Sequence, residues 1–419
     1  MVFLSLKFHQ RELNTIPPDL DSIASSIAFA WIQSEVHKKP TIPLIQIQRD
    51  DFTLRTENIY ALGLAGIDNP QEQLLSISDV ETMKPFPSRT FALVDHNRLG
   101  QLFSVDNPTS HVVAVIDHHE DEGLYKDTAN PRTIAPAGSC TSHIASLCPP
   151  EVPAELATLL LCGILIDTSG LKPGGKALQV DYRAAGSLVT KSTFAPSLPP
   201  KLFSALSEDP TSKTEAIYEA PAIRDLTRTL LTKKSDLSQF SGWDLLRRDY
   251  KEYEYTLSWA ANQPSIKAGL STVPLGLEQW GMNGKLEEAA TAWMKHRGLT
   301  VLGALTSFRD GSKIGKSGKG KHKREMAWFV REDLDRKVEG LDYNELAAHL
   351  WKGLEDSPEL KVKKHKKIDL EKGGKLPQGM RARVYNQQNV DATRKATAPL
   401  LKTILENPAA VTPAKSENN

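Results

Sequence analysis

Val112-Val-Ala-Val-Ile-Asp-His-His119 is a run of small and β-branched apolar residues that stops at an acid and two histidines. A strand buried on both faces reads as such an unbroken apolar run. Phe91-Ala-Leu-Val-Asp95 has the same form and also closes on an acid. Open α/β sheets bind their ligands outside the carboxyl ends of parallel strands, where these acids would stand. Upstream, Asp21 to Gln33 carries Ile23, Ile27, Ala30 and Trp31 at helical spacing. Downstream, Ala154 to Ile166 is rich in Ala and Leu and too long for a strand, so it reads as a buried helix ending at Asp167. Residues 1–190 are therefore expected to form a parallel-sheet α/β domain.

Beyond residue 190 the texture changes. Pro196, Pro199, Pro200 and Pro210 with several Ser and Thr predict a linker with short helices over 191–241. From Gly242 a helical pattern (Leu245, Leu246, Tyr250, Tyr253) runs to about Gln263. It is followed by alternating material from Ile266 to Leu277, a helix from Leu286 to His296, and strands near Leu299–Leu305 and Met326–Val330. This predicts a second, smaller α/β domain over 242–406, with a polar, disordered tail over 407–419. Two basic stretches interrupt it, Lys313 to Arg324 and Lys361 to Lys367, and read either as solvated loops or as a rim that guides a polyanion.

Composition narrows the class. The 419 residues are 40% hydrophobic and 25% charged, which fits globular domains and excludes wholesale disorder. Lys+Arg 52 against Asp+Glu 51 leaves a net charge of +1, so no global field draws nucleic acid or membrane. Three cysteines without a C-x-x-C pair exclude a disulfide scaffold and a thiolate zinc site, and fit a reducing, cytoplasmic setting. No apolar run approaches the roughly 18 residues of a membrane span. Neither a phosphate-binding G-x-x-x-x-G-K-[ST] loop nor a G-x-S-x-G elbow is present.

Four segments bear the candidate chemistry: Asp19-Leu-Asp21-Ser22, Asp95-His96-Asn97, Asp117-His118-His119 and Asp167-Thr168. Each alone is commonplace, and Asp19 or Asp21 could simply cap a helix. Together, carboxylates and imidazoles without thiolates suit Mg²⁺ or Mn²⁺. Two such cations, about 3.5–4 Å apart, can clamp the attacking and leaving oxygens of a phosphoryl displacement. Cys140, within Gly138-Ser-Cys-Thr-Ser142, reads as small packing rather than a nucleophile.

Five motifs in order, Asp19-Leu-Asp-Ser-Ile-Ala-Ser-Ser26, Leu93-Val-Asp-His-Asn97, Ile116-Asp-His-His119, Gly138-Ser-Cys-Thr-Ser142 and Gly163-Ile-Leu-Ile-Asp-Thr168, resemble the DHH phosphoesterases with a DHHA2 second domain. That subgroup holds manganese-dependent inorganic pyrophosphatases, prune-like proteins and fungal cytosolic exopolyphosphatases. The resemblance continues through Leu245-Leu-Arg-Arg-Asp-Tyr-Lys-Glu-Tyr253 to Asn389-Val-Asp-Ala-Thr-Arg-Lys395, and lies nearest the exopolyphosphatase branch.

The resemblance implies an active site in the cleft between two domains, with two ions bridged by Asp95. One ion would take Asp19 and Asp95, the other Asp21, Asp95, His118 and Asp167. His119 would face the scissile phosphate, with Asp117 orienting the histidines, and Ser139, Arg394 and Lys395 would bind substrate. The implied reaction is release of terminal phosphate from inorganic polyphosphate. The alternatives are a pyrophosphatase or short-chain phosphoesterase, and a non-catalytic interaction protein on the same fold. The last is motivated by Thr15, which stands where the family has a metal-binding His or Asn, with Asn14 one residue off. Other DHH proteins are nucleases but carry a different second domain, so neither nucleic acid nor membrane is expected as a partner.

Overall fold

The computed structural model describes residues 2–5, 19–211, 214–314, 320–332, 338–372 and 376–407. Asn14, Thr15, Lys316, Lys319 and the tail from residue 408 lie outside them. The described residues divide into two compact units, one holding the first strand and the chain from Asp19 to Ser238, the other the chain from Gln239 onward.

The first unit is built on a six-stranded sheet. Its strands are β1 (Val2–Ser5), β2 (Thr41–Ile45), β3 (Leu75–Ser76), β4 (Thr90–Val94), β5 (His111–Asp117) and β6 (Arg132–Ile134). Their order is β3-β2-β1-β4-β5-β6 and every pairing is parallel. The strand order reverses between β1 and β4, which is where sheets of this kind bind ligands. Alternation sorts the apolar residues of the strands onto two covered faces, with a register shift in β5 between Val112 and Ala114. Ala92, Val94, Ala114 and Ile116 join the core formed with α1 (Leu20–Trp31), α2 (Cys140–Ala145) and α3 (Ala154–Asp167). Phe91, Leu93, Val112 and Val115 pack with Phe86 and Phe103 on the other face.

The expected linker contributes to that first core. Leu202 and Leu206 of a short helix are buried there. So are Ile223, Leu226 and Leu230 of α5 (Pro221–Ser235), which follows α4 (Gln179–Val189) in our numbering. Proline spacing concealed this, because Pro200 and Pro221 sit in the first turns of helices, where a missing N–H costs nothing.

The second unit holds a mixed sheet of β7 (Tyr250–Thr256), β8 (Ser265–Val273), β9 (Val301–Thr306), β10 (Phe308–Ile314), β11 (Gly320–Arg331), β12 (Val362–Lys364) and β13 (Met380–Gln387). Among the described residues, β8 and β9 are the one pair of its strands that run parallel. Leu346, Leu350 and Leu354 of α7 (Tyr343–Glu355) and Leu401, Ile404 and Leu405 of α8 (Arg394–Glu406) pack on Trp328, Val301 and Tyr385 of the sheet. The predicted helix from Leu286 is α6 (Lys285–Arg297).

The helix predicted from Gly242 to Gln263 ends at Arg248, and Tyr250–Thr256 is a strand. Tyr250, Glu252 and Tyr255 are buried within a sheet edge that pairs along its length with β8, so cross-strand packing overrides the helical spacing. The basic stretch at Lys313–Arg324 likewise falls largely in strands β10 and β11, where Lys323 pairs with Asp310 at 2.5 Å.

Candidate metal centre

The site residues of the first unit come from strand ends and from helix termini, Asp19 and Asp21 at the start of α1 and Asp167 at the end of α3. Register places Val94 beside Ile116, and the Asp95 N–H donates to the Ile116 carbonyl at 2.8 Å, so the acids that close β4 and β5 stand on neighbouring strands. Asp95 adopts φ +63°, a left-handed conformation uncommon for a residue with a side chain. Asp19 is the N-cap of α1, its Oδ1 accepting from the Ser22 backbone N–H at 3.2 Å and the Ser22 hydroxyl at 3.0 Å. The capping interpretation is thus literally correct for Asp19. The same Ser22 hydroxyl also contacts Asp95 Oδ2, tying the two carboxylates together.

Asp21, 1% exposed, sits in a cradle supplied by residues well over a hundred positions away. It accepts from the Ser139 hydroxyl at 2.7 Å and from the backbone N–H groups of Cys140 and Thr141 at 2.8 and 2.7 Å. Ser139, expected to bind substrate, is fully buried; its hydroxyl donates to Asp21 Oδ1 at 2.7 Å and also contacts the Thr141 hydroxyl. Cys140 is fully buried and burial pushes its thiol well up, which fits packing and not nucleophilic use.

The cradle itself hangs on Asp181, a residue the motif reading missed. Its carboxylate is wholly buried and accepts from the N–H groups of Gly138, Ser139 and Leu178 and from the Ser142 hydroxyl, at 2.8, 3.3, 2.7 and 2.6 Å. A Cβ on Gly138 would stand 2.7 Å from Thr168 Cγ2 and 2.8 Å from Asp181 Oδ2, so the close approach requires glycine. In sequence, Asp181 reads only as an acid at the third position of a helix, an ordinary cap.

The histidines diverge. His118 Nδ1 lies 3.1 Å from the Ala137 carbonyl, which can only accept, so Nδ1 carries a proton. Its Nε2 then faces Asp95 Oδ1 at 3.2 Å and Asp21 Oδ2 at 3.8 Å. His119 Nδ1 bonds Asp117 Oδ1 at 2.7 Å, and its side chain is 43% exposed. Asp117, 0% exposed, also accepts from the His118 and His119 backbone N–H groups and, at 2.6 Å, from Asn97 Nδ2. One ligand atom each from Asp95, His118 and His119 falls within 4.8 Å of the others. His96 and His143 bond the carbonyls of Val94 and Ala135 at 3.0 and 2.8 Å.

Crowding of like charge shows in the titration. Burial, then the charges of Asp95, Asp167 and Asp19, push Asp21 up to about 8 against the pull of His118. Burial and Asp19 also raise Asp167, with Lys234 and Lys176 opposing. Burial would lower His118, but its bond to Asp95 and the charges of Asp21 and Asp95 raise it to about 9. Burial would raise Asp117 as well, yet its bonds from His119 and Asn97 hold it down at about 2.

In the second unit, Arg394 opens α8 and grips Asp249, Nη1 to the carbonyl at 3.0 Å and Nη2 to Oδ1 at 2.8 Å. Lys395 beside it is exposed.

An all-parallel α/β sheet with carboxylates and imidazoles gathered at adjacent strand ends defines the protein as a candidate divalent-cation α/β protein. Residues 14–164 match the N-terminal domain of the DHH family, and residues 228–404 match the DHHA2 domain. The chain belongs to the DHH family, in the subgroup with a DHHA2 second domain. A Schizosaccharomyces pombe protein named for exopolyphosphatase activity is 29% identical over 314 residues, 70% of this chain and 71% of that protein. Streptococcus agalactiae proteins named for manganese-dependent inorganic pyrophosphatase activity are 34% identical over 160 residues, 37% of this chain and 47% of theirs. A solved Methanococcus jannaschii structure, described as a family II inorganic pyrophosphatase, aligns over 97% of this chain and 99% of its own at 17% identity and TM-score 0.46. Among the described residues no helix is long and apolar enough to cross a membrane.

Proposed function

We propose that this protein hydrolyses phosphoanhydride bonds with divalent metal, Mn²⁺ or Mg²⁺, and that its substrate is inorganic polyphosphate, from which it releases terminal phosphate. The observation that carries the reading is the His118 ring. With Nδ1 committed to a carbonyl, the Nε2 of a neutral His118 points a lone pair at the oxygens of Asp95 and Asp21. Acceptor facing acceptors in a buried site is stable only with a cation or a proton between them, and the Nδ1 bond to a carbonyl is the usual support of a metal-binding histidine. Asp19, Asp21, Asp95, His118 and Asp167 would hold the ions. Ions so held supply charge neutralisation of phosphate oxygens.

The chain's own residues supply the rest. Asp117 fixes the His119 ring through Nδ1, which leaves Nε2 as the atom that would give a proton to the leaving phosphate oxygen. Ser139, Cys140 and Thr141 hold Asp21 so that its charge does not turn away. Arg394 and Lys395 would bind substrate phosphate, a role supported by the Thr393-Arg-Lys motif and by the bidentate fit of guanidinium to phosphate. The S. pombe relative supports polyphosphate as substrate, and the S. agalactiae relatives support pyrophosphate as the alternative. Cytoplasmic location is part of the same proposal, supported by three cysteines kept as thiols.

Phosphate release from long-chain polyphosphate and from pyrophosphate, each with Mg²⁺ and with Mn²⁺, tests the reading. Turnover of the long chain supports it. Cleavage of pyrophosphate alone moves the assignment to the alternative, and failure on both overturns it.

A further inference from the structure

Two lysines from different elements converge on one carboxylate of the proposed metal centre. Lys176 Nζ lies 3.8 Å from Asp167 Oδ2, and Lys234 Nζ lies 3.8 Å from Asp167 Oδ1. Lys234 sits in the last turn of α5, which Ile223, Leu226 and Leu230 anchor in the core. Lys176 follows the turn that leaves α3. That turn is held by fully buried Leu171 and by Gly170, whose missing Cβ lets it pack against Thr227 of α5. Both ammonium groups are therefore delivered by packed backbone, while their side chains stay 56% and 37% exposed.

Placing two fixed cations against a metal ligand opposes metal binding, since a divalent ion on Asp167 would be repelled by both. At 3.8 Å the contacts are ion pairs and not hydrogen bonds, and partly exposed pairs of this kind contribute little stability. The arrangement gains a purpose once an anion enters. A phosphate held by the ions would meet two ammonium groups able to exchange the carboxylate for its oxygens, each as a compact point charge.

We propose that Lys176 and Lys234 are phosphate-binding residues of the first unit. They would engage the charged phosphate units beside the reacting one, and they rest on Asp167 when no polyanion is bound. The inference builds on the phosphoanhydride reading but concerns binding, so it can be measured apart from turnover. It also has a two-sided consequence: the lysines weaken metal binding to the free protein and strengthen binding of polyanion.

The test is the full chain against Lys176→Ala, Lys234→Ala, the double variant and Lys176→Arg/Lys234→Arg. Calorimetry would follow Mg²⁺ alone, then imidodiphosphate (a diphosphate that resists hydrolysis) on the Mg²⁺-loaded protein. Removal of both ammonium groups is expected to weaken imidodiphosphate at least tenfold and raise KM for polyphosphate comparably. Mg²⁺ affinity should be tighter, and the arginine pair should restore most of the anion affinity. Anion affinity within twofold of wild type in the double variant would reduce the lysines to charge compensation for Asp167 and overturn the assignment. No imidodiphosphate binding by wild type would overturn it too. A protein that binds imidodiphosphate through these lysines yet turns over neither substrate would instead sink the catalytic reading and leave this one standing.

Discussion

His119 Nδ1 lies 2.7 Å from Asp117 Oδ1, the same oxygen that accepts the backbone N–H groups of both His118 and His119. One buried carboxylate thus fixes the His119 ring and the backbone of both histidines, while the His118 ring is set by the Ala137 carbonyl. His118 turns inward to Asp95 and Asp21, and His119 stays 43% exposed. His118→Ala should weaken Mn²⁺ binding by at least about 10–100-fold. His119→Ala should leave metal affinity nearly unchanged and lower kcat by about 10²–10⁴-fold, the range of a lost general acid. Equal metal affinities in the two variants would refute this division.

The metal-free protein should lose stability as pH rises, and metal should reverse the trend. Asp21 is raised to about 8, so between the unfolded carboxyl value near 4 and about 8 the unfolded chain releases a proton that the folded one keeps. His118 is raised to about 9, and its contribution is present below about 6.5 and lost as pH climbs through 9. Both slopes have one sign across that window. Thermal melts in chelator should therefore give a higher Tm near pH 6 than near pH 8.5, and excess Mg²⁺ should invert the order because the ion displaces both protons. A Tm in chelator that rises with pH over this window would contradict the charge crowding described.

Asp117 behaves oppositely. Its folded value of about 2 lies below the unfolded value near 4, so its stabilisation is full above about 4 and is lost as pH falls through about 2. Asp117→Asn should remove that acid-side loss while cutting turnover, because the His119 ring loses the carboxylate that fixes its Nδ1. An unchanged acid unfolding midpoint in this variant would show that the carboxylate is not the group that titrates.

Asp181→Ala should destabilise the first unit by about 3–5 kcal/mol, since four donors lose a buried acceptor together. At temperatures where the variant stays folded, metal affinity should also fall, because the Gly138–Ser142 segment no longer fixes Asp21. Denaturant midpoints and calorimetry separate the two effects. A variant that melts early but binds Mn²⁺ normally would make Asp181 purely architectural.

Arg394→Ala should raise KM steeply, by about 10–100-fold for the loss of a charge-assisted bidentate pair, with metal affinity unchanged. Arg394→Lys should recover only part of it, because an ammonium cannot reproduce the two-point grip seen on Asp249. Unaltered KM in Arg394→Ala would remove the second unit's arginine from the substrate site.

Much of this protein is legible along its chain. The runs at Phe91 and Val112 declare buried parallel strands, and the acids that close them mark the binding end of the sheet, because apolar continuity and the chain's punctuation are local properties. The helix through Ala154–Asp167 and the carboxylate and imidazole set follow from the same kind of reading. Where local patterns conflicted with distant partners, the sequence misled. Tyr250 and Tyr253 sit at helical spacing, yet β8 claims them as a strand, and the proline-rich stretch after residue 190 hides helices that close the first core. The site's finer design was out of reach for the same reason. Asp21 is held by Ser139 and Thr141, 118 and 120 positions away, Asp181 commands the loop that holds it, and Lys176 and Lys234 converge on Asp167. Residue types and strand ends are written locally. Which buried carboxylate receives which donor is decided when packing brings remote segments within hydrogen-bonding distance, and only the folded chain does that.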